Sequence, residues 1–365
     1  EVFINNGTGG FVESGDSLGF ASGGGPVAVA VLDVNGDGLL DVYLAKHDDR
    51  DLLFIGGVGG TFSEVGPAFG LPNTRSGFGV TAVDIGHDGD VDRVVGISSA
   101  ADSVGVNDGT GLLSEGAAGL GLVIDSRVTE AVVAGDLDGD GDLDVVLVNR
   151  NSADTVLVND GSGSFSDEGS LRGFSDTGAA FGVAVGDLDG DGDLDAFVSR
   201  WSGQRDLVYM NDGLGFFTEE GSSRGVSASA NSRGVSVWDV ELDGDVDVFV
   251  GVASAADMMW RNDGDGEFVN AAATLGMANT GDSYGTAVGD LDGDGDLDLV
   301  VGQSSLLYIS HNGQPSLANW LKVKPLTVSG AESAFGAKVE VVCVGGCGGV
   351  EGWRGVRVID GGSGY

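Results

Sequence analysis

An acidic nonapeptide returns six times along this 365-residue chain, and its carboxylates are the side chains best placed to do chemistry. The clearest copies are Asp136-Leu-Asp138-Gly-Asp140-Gly-Asp142-Leu-Asp144 and the runs from Asp187 to Asp195 and from Asp290 to Asp298. Looser copies run from Asp33 to Asp41, Asp84 to Asp92 and Asp239 to Asp247. A carboxylate at every second position, with glycines between, is how a short loop wraps a hard cation in oxygen. Positions 1, 3, 5 and 9 can offer side-chain oxygens, position 7 its backbone carbonyl, and Gly at position 6 permits the sharp turn. Ca²⁺ suits such a loop better than Mg²⁺, which demands a tighter octahedron and keeps more of its waters.

The loops carry 27 of the 57 acidic residues, against only 17 Lys and Arg and a formal charge of −40. Two carboxylates about 5 Å apart repel by roughly 3 kcal/mol at an effective dielectric near 20. Loops three to six hold five each, so without a cation they should splay or take up protons. Six Ca²⁺ would still leave the chain near −28. Such a surface repels nucleic acid and anionic lipid, and favours divalent cations or basic partners. No apolar run is long enough for a membrane helix. Cys343 and Cys347 read as a local disulfide or two ordinary thiols, because no histidine lies close enough in sequence to complete a zinc site. Glu1 in place of Met suggests a processed or partial chain.

The first aspartates fall at 33, 84, 136, 187, 239 and 290, so the steps alternate between 51 and 52 residues. One unit reads as four strands. Phe181 to Gly186 alternates and enters the loop, Leu194 to Ser199 leaves it, Asp206 to Met210 is a third strand, and a fourth begins near Phe216. Asn211-Asp-Gly213 is read as the hairpin turn, its residues tolerating positive φ. The turn recurs at Asn5-Asn6-Gly7, Asn107, Asn159, Asn262 and His311, with Ile55-Gly-Gly-Val in its place once. Four short strands per unit predict an all-β chain, a β-propeller of four-stranded blades. Position 12 of the loop is apolar and its flanks are strands, which excludes an EF-hand. Nothing repeats at nine residues, as a calcium-binding β-helix would require.

The chain opens with two strands, Val2 to Asn5 and Gly10 to Glu13, that look like the outer pair of a blade. Together with C-terminal strands such as Trp320 to Lys324 and Ala337 to Val342 they would make a seventh blade. Seven is the expected number, with six as the alternative if the N-terminal strands complete the sixth blade. The domains are then 1–312, a propeller with six calcium loops, and 313–365, a short C-terminal β segment poorer in Asp that could help close the ring.

The Asp-x-Asp-x-Asp-Gly-x-x-Asp loop, the Phe-Gly before it (Phe78-Gly79, Phe181-Gly182) and the Asn-Asp-Gly-x-Gly-x-Phe turn resemble FG-GAP/VCBS repeats. Such repeats form the calcium-binding propeller of integrin α subunits and many secreted proteins. Asn319 to Lys324, Phe335 to Glu340 and Gly361 to Tyr365 resemble the ASPIC/UnbV segment, which follows such repeats in the cartilage acidic protein family and continues beyond the corresponding Gly-Ser-Gly-Tyr. The resemblance implies six Ca²⁺ sites. The first is Asp33, Asn35, Asp37 and Asp41, with Leu39 by its carbonyl. The third (Asp136, Asp138, Asp140, Asp142, Asp144), the fourth (Asp187, Asp189, Asp191, Asp193, Asp195) and the sixth (Asp290, Asp292, Asp294, Asp296, Asp298) follow the pattern fully. The fifth (Asp239, Glu241, Asp243, Asp245, Asp247) substitutes a longer arm. The second (Asp84, Asp88, Asp90, Asp92) lacks an oxygen at Gly86 and is expected to be weakest.

No nucleophile, base and orienting group stand in a catalytic pattern, so a non-enzymatic role is expected. Leu143-Asp144-Val145 spells an integrin-recognition tripeptide, but its Asp belongs to a loop. Asn6 heads the sole N-glycosylation sequon. His47, His87 and His311 read as surface residues, and Trp201, Trp238 and Trp260 as packing residues before sugar platforms. The reading is a secreted, calcium-stabilised structural or adhesion protein in extracellular matrix, wall or filament. Its partners would be other extracellular proteins or glycans, or copies of itself. A carbohydrate-binding propeller is the alternative, and an enzyme with its site on a propeller face the third.

Overall fold

The computed structural model describes residues 2–7, 10–20, 25–47, 49–71, 76–98, 100–116, 119–120, 127–303 and 307–310, with the backbone of 338–342 and 354–358. Strands dominate. Among the described residues the two helical turns, Gly15–Leu18 and Gly66–Phe69, are four residues each. Five four-stranded antiparallel sheets follow one another at 26–64, 77–115, 129–167, 180–219 and 232–270, and a three-stranded sheet occupies 283–310. These are blades 1 to 6. In blade 4 the strands are Ala180–Gly186, Asp195–Arg200, Leu207–Asn211 and Phe217–Glu219, as the spacing predicts. The first strands of successive blades touch one another and form the inner wall of the ring.

Glycine makes that inner wall possible. A Cβ at Gly182 would stand 2.4 Å from the Arg233 carbonyl of blade 5, and one at Gly79 2.7 Å from Ala131 Cα of blade 3. The Phe-Gly signature is therefore a blade contact, where two strands approach too closely for any side chain. The first strand bulges at the same point in every blade, with register shifts at Gly77/Gly79 and Ala180/Gly182 among them. The residue at each bulge is left out of the ladder.

Apolar side chains fill the space between neighbouring sheets. Leu188, Phe197 and Val208 of blade 4 pack with Val248, Met258 and Trp260 of blade 5. Each such side chain contributes about 1.5–3 kcal/mol when fully withdrawn from water. Trp238 and Trp260 are buried in this way, and Trp201 is part-exposed.

The hairpin turn differs from the expected one. Asn211 ends the third strand and pairs with Phe217, so the connection is five residues long, and Gly213 and Gly215 carry the positive φ angles of 78° and 75°. The asparagine is buried and serves as a clamp. Its Oδ1 accepts from the Gly213 and Gly215 amides, and its Nδ2 donates to Leu194 O in its own blade and to Leu137 O in blade 3. Asn107, Asn159 and Asn262 repeat the arrangement, each reaching one blade back.

The same bond fixes the place of the N-terminal hairpin. Phe3–Asn5 and Phe11–Glu13 pair as a separate two-stranded sheet. Asn5 Nδ2 donates to Leu291 O of the sixth loop, as a following blade would. These strands thus stand as the outer half of a blade after the sixth, without joining its sheet. Among the described residues the loop-bearing blades number six, and Leu307–Ser310 is the third strand of the last. Trp320 to Lys324, expected at the centre of a seventh, lies outside the described residues, as do Cys343, Cys347 and His311. Lys338–Val342 forms a strand, as expected, and pairs with Arg354–Val358.

Candidate metal centre: six acidic loops at one end of the ring

Every loop joins the first and second strands of its blade, so all six gather at the end where the inner strands finish. Three devices repeat. The residue at position 2 (Val34, Ile85, Leu137, Leu188, Val240) is buried and anchors the loop in the core. The aspartate at position 9 is buried, and its Oδ2 accepts from the position-2 amide at 2.8–3.1 Å. In blades 1 to 5 its Oδ1 accepts from the end of the third strand at 2.7–2.9 Å. Position 5 then accepts from the amide of position 7 in all six.

Position 9 therefore fastens the loop to the sheet whatever else it does. Burial pushes these carboxyls up, Asp41 to about 6, Asp92 and Asp144 to about 7, and Asp195 and Asp247 to about 8. Asp144 is buried in this role, which removes the Leu143-Asp144-Val145 tripeptide from the surface. Position 7 turns its side chain onto the hairpin in loops 3 to 5, whereas Asp296 of loop 6 is buried. Asp142, Asp193 and Asp245 lie against Gly161, Gly213 and Gly264 of their own hairpins, leaving the carbonyl as the donor this position can offer.

The copies divide as their sequences do. In loops 3, 4 and 6 three carboxylates bring oxygens within 4.8 Å of one another: Asp136, Asp138 and Asp140; Asp187, Asp189 and Asp195; Asp290, Asp292 and Asp294. Loops 1, 2 and 5 bring no such trio together among the described residues. Their first aspartates, Asp33, Asp84 and Asp239, spend both oxygens on the loop's own amides at positions 5 and 6. In loops 3 and 6, Asp136 and Asp290 instead take the amide of the position-4 glycine on Oδ1. Position 4 is His87 in loop 2 and Leu242 in loop 5, both held at left-handed φ angles of 52° and 60°.

The convergent loops fit a cation. Asp138 Oδ1 and Asp189 Oδ1 are buried and meet no donor, an expensive state that a metal would relieve. Burial, then Asp140 and Asp191, push these two carboxyls above the ordinary range against the pull of Arg172 and Arg224. The oxygen-only donor set, with a backbone carbonyl in reach, is that of a hard divalent ion.

Three arginines escaped the sequence reading. Arg172 reaches Asp138 at 3.2 Å, Arg224 reaches Asp189 at 3.4 Å and Arg261 reaches Glu241 at 3.2 Å. Arg172 and Arg224 also donate to the hairpin carbonyls of Leu214 and Asp265 in the next blade. A signal was present: Glu168-Gly-Ser-Leu-Arg172 and Glu220-Gly-Ser-Ser-Arg224 are copies one period apart, each folded into a Glu–Arg pair at 2.8 Å. His87 lies 3.2 Å from Asp142 and so ties loop 2 to loop 3.

A second aspartate series was also missed. Asp51, Asp102, Asp154, Asp206 and Asp257 open the third strands and are buried at the opposite end of the ring. Each accepts from the amide that ends the second strand. Asp102, Asp206 and Asp257 also take a hydroxyl, from Thr129, Ser232 and Ser283 of the following blade.

Together the sheets and the loops define a propeller of acidic-loop repeats. The FG-GAP-like repeat model matches residues 1–44, 33–95, 136–198 and 239–301, and the chain belongs to that family. Among curated relatives it is similar to cartilage acidic protein 1 of Xenopus tropicalis, 29% identical over 94% of this chain and 58% of the relative. The human protein is 27% identical over 66% of this chain and 41% of its own length. This chain thus spans little more than half of the relatives it matches, or less. Among solved structures, the BP39L lectin from Burkholderia pseudomallei aligns with a TM-score of 0.54 at 16% identity, over 80% of this chain and 84% of that one. BBS1N, crystallised with ARL6DN, aligns with a TM-score of 0.52 at 13% identity, over 81% of each. At such identities the likeness is of fold alone.

Proposed function

We propose that this chain is a calcium-stabilised propeller that works outside the cell as an interaction scaffold, with the ion as part of the fold. The observation that carries the reading is the convergence of carboxylates in loops 3, 4 and 6, with the donorless oxygens of Asp138 and Asp189 in the first two. The ion would cancel the repulsion within each loop and lock the first strand to the second. Asp136, Asp138, Asp140 and Asp144 would hold it in loop 3, with Asp142 by its carbonyl, and the equivalent positions in loops 4 and 6. Loops 1, 2 and 5 would bind after rearrangement of Asp33, Asp84 and Asp239, and so more weakly. Extracellular modules of this kind bind Ca²⁺ at about 10⁻⁴ to 10⁻³ M, which suits secretion.

The exposed Asn6 would carry a glycan. Residues 313–365 would form the ASPIC/UnbV-like segment, in keeping with the strand pair at 338–342 and 354–358. Partners would be extracellular proteins, glycans or further copies of the chain, and the role is structural. Equilibrium calcium titration with Asp189→Ala and Asp84→Ala tests the assignment. Asp189→Ala should remove one of the tighter sites and Asp84→Ala only a weak one. Equal effects from the two substitutions would overturn the ranking, and a protein that takes up no calcium would overturn the function.

A further inference from the structure

The end of the ring opposite the acidic loops carries a second set of chemistry. Six residues before each loop, the residue at the strand bulge is Phe78, Glu130, Phe181, Arg233 or Tyr284 in blades 2 to 6. Bulges re-aim side chains and recur beside binding sites. Here they build a continuous belt across blades 3 to 6. Arg150 pairs with the buried Glu130 and lies 5.9 Å from the centre of the Phe181 ring. Phe181 is 5.9 Å from Trp201. Arg233 closes the belt, its guanidinium carbon 4.7 Å from the Trp201 ring centre and 3.8 Å from that of Tyr284.

Arg233 is unlike its neighbours. Arg127, Arg150, Arg200 and Arg205 each have a carboxylate partner. Arg233 has none among the described residues, and its Nε and Nη1 are buried without an acceptor. In a chain of charge −40 an unpaired guanidinium between two rings is a costly arrangement. Tyr284 is 47% exposed, and a rotamer change of such a ring, on the nanosecond scale, would bare the guanidinium beneath it.

We propose that this belt binds an acidic saccharide through one uronate carboxylate on Arg233. A guanidinium stacked on rings offers paired in-plane N–H donors, the geometry that grips a carboxylate with two parallel hydrogen bonds. The rings of Trp201 and Tyr284 supply an apolar floor for a pyranose face. The site has one unpaired cation, while Asp176 and Asp282 stand near by on Arg200 and Ser254. It therefore suits one negative charge per sugar and disfavours acidic peptide runs or heavily sulfated chains. The site shares no residue with the metal loops, so its failure and failure of the calcium reading are separate results.

Saturation-transfer NMR on the calcium-loaded chain, with methyl glucuronide, methyl glucoside and N-acetyl-aspartate amide, tests it. The glucuronide should bind about tenfold more tightly than the glucoside, and Arg233→Gln should bring the two level. Arg205→Gln should leave the glucuronide unaffected, and the melting temperature of each variant reports its folding. If Arg233→Gln fails to fold, Tyr284→Ala should weaken both sugars. Equal binding of glucuronide and glucoside, binding that survives Arg233→Gln, preference for the aspartate amide, or no binding of the glucuronide would each overturn the proposal.

Discussion

Asp206 shows how much one buried carboxylate can do away from any metal. It accepts from the Arg200 amide at 2.8 Å and from the Ser232 hydroxyl at 2.9 Å, and burial pushes it up to about 7. Asp154 is raised to about 7 and Asp257 to about 6 for the same reason. An acid whose folded value is raised stabilises the fold fully below its unfolded value and loses that contribution as pH climbs to the folded one. The window for Asp206 therefore runs from about pH 4 to about pH 7. Asp206→Asn keeps an acceptor without the charge. At fixed calcium its melting temperature should gain on wild type as pH rises through that window. Asp206→Ala leaves the amide and the hydroxyl without a partner and should cost about 1–3 kcal/mol at every pH. Parallel melting curves for wild type and Asp206→Asn would contradict this account. The loop aspartates were legible because they alternate with glycine. This second series was not, since one aspartate before an apolar strand resembles any strand-opening turn.

Between elements, the asparagine at the end of each third strand bridges two blades. Asn211→Ala should leave the buried carbonyls of Leu137 and Leu194 without its amide donor, costing about 1–3 kcal/mol. Hydrogen exchange should quicken in the loop and hairpin between blades 3 and 4, with blade 6 unchanged. Uniform quickening throughout the ring would show instead that the clamp is not local. Gly182→Ala is the companion test on the inner wall. Its methyl would meet the Arg233 carbonyl at 2.4 Å, so blade 4 must shift from blade 5, and a melting temperature equal to wild type would rule out that contact. Strand order and loop placement could be read from the period and the alternation. The role of Asn211 could not, because Asn-Asp-Gly also spells a tight turn. The asparagine proves to be a strand residue, paired with Phe217, whose side chain has four amide and carbonyl partners in the loops and the turn.

The whole molecule is a ring held together at two ends by different means. At one end buried aspartates bridge neighbouring blades through hydroxyls; at the other, six acidic loops crowd 27 carboxylates, with Arg172, Arg224, Arg261 and His87 paired to them among the described residues. The number of loops and their inequality were both visible in the sequence, since the three full copies are those whose carboxylates converge. The blade count was not, because strands at both termini could serve either number, and the Asn5 bond to Leu291 is what sets the hairpin beyond the sixth sheet. A cation that binds the folded ring and not the unfolded chain must raise its stability by mass action. The direct test is the melting temperature at neutral pH in millimolar calcium and after chelation with EGTA. A fall on the order of 10 °C or more, reversed by returned calcium, is the predicted result, since several sites each linked to folding act together. Melting indifferent to the chelator would contradict the claim that calcium is part of this fold.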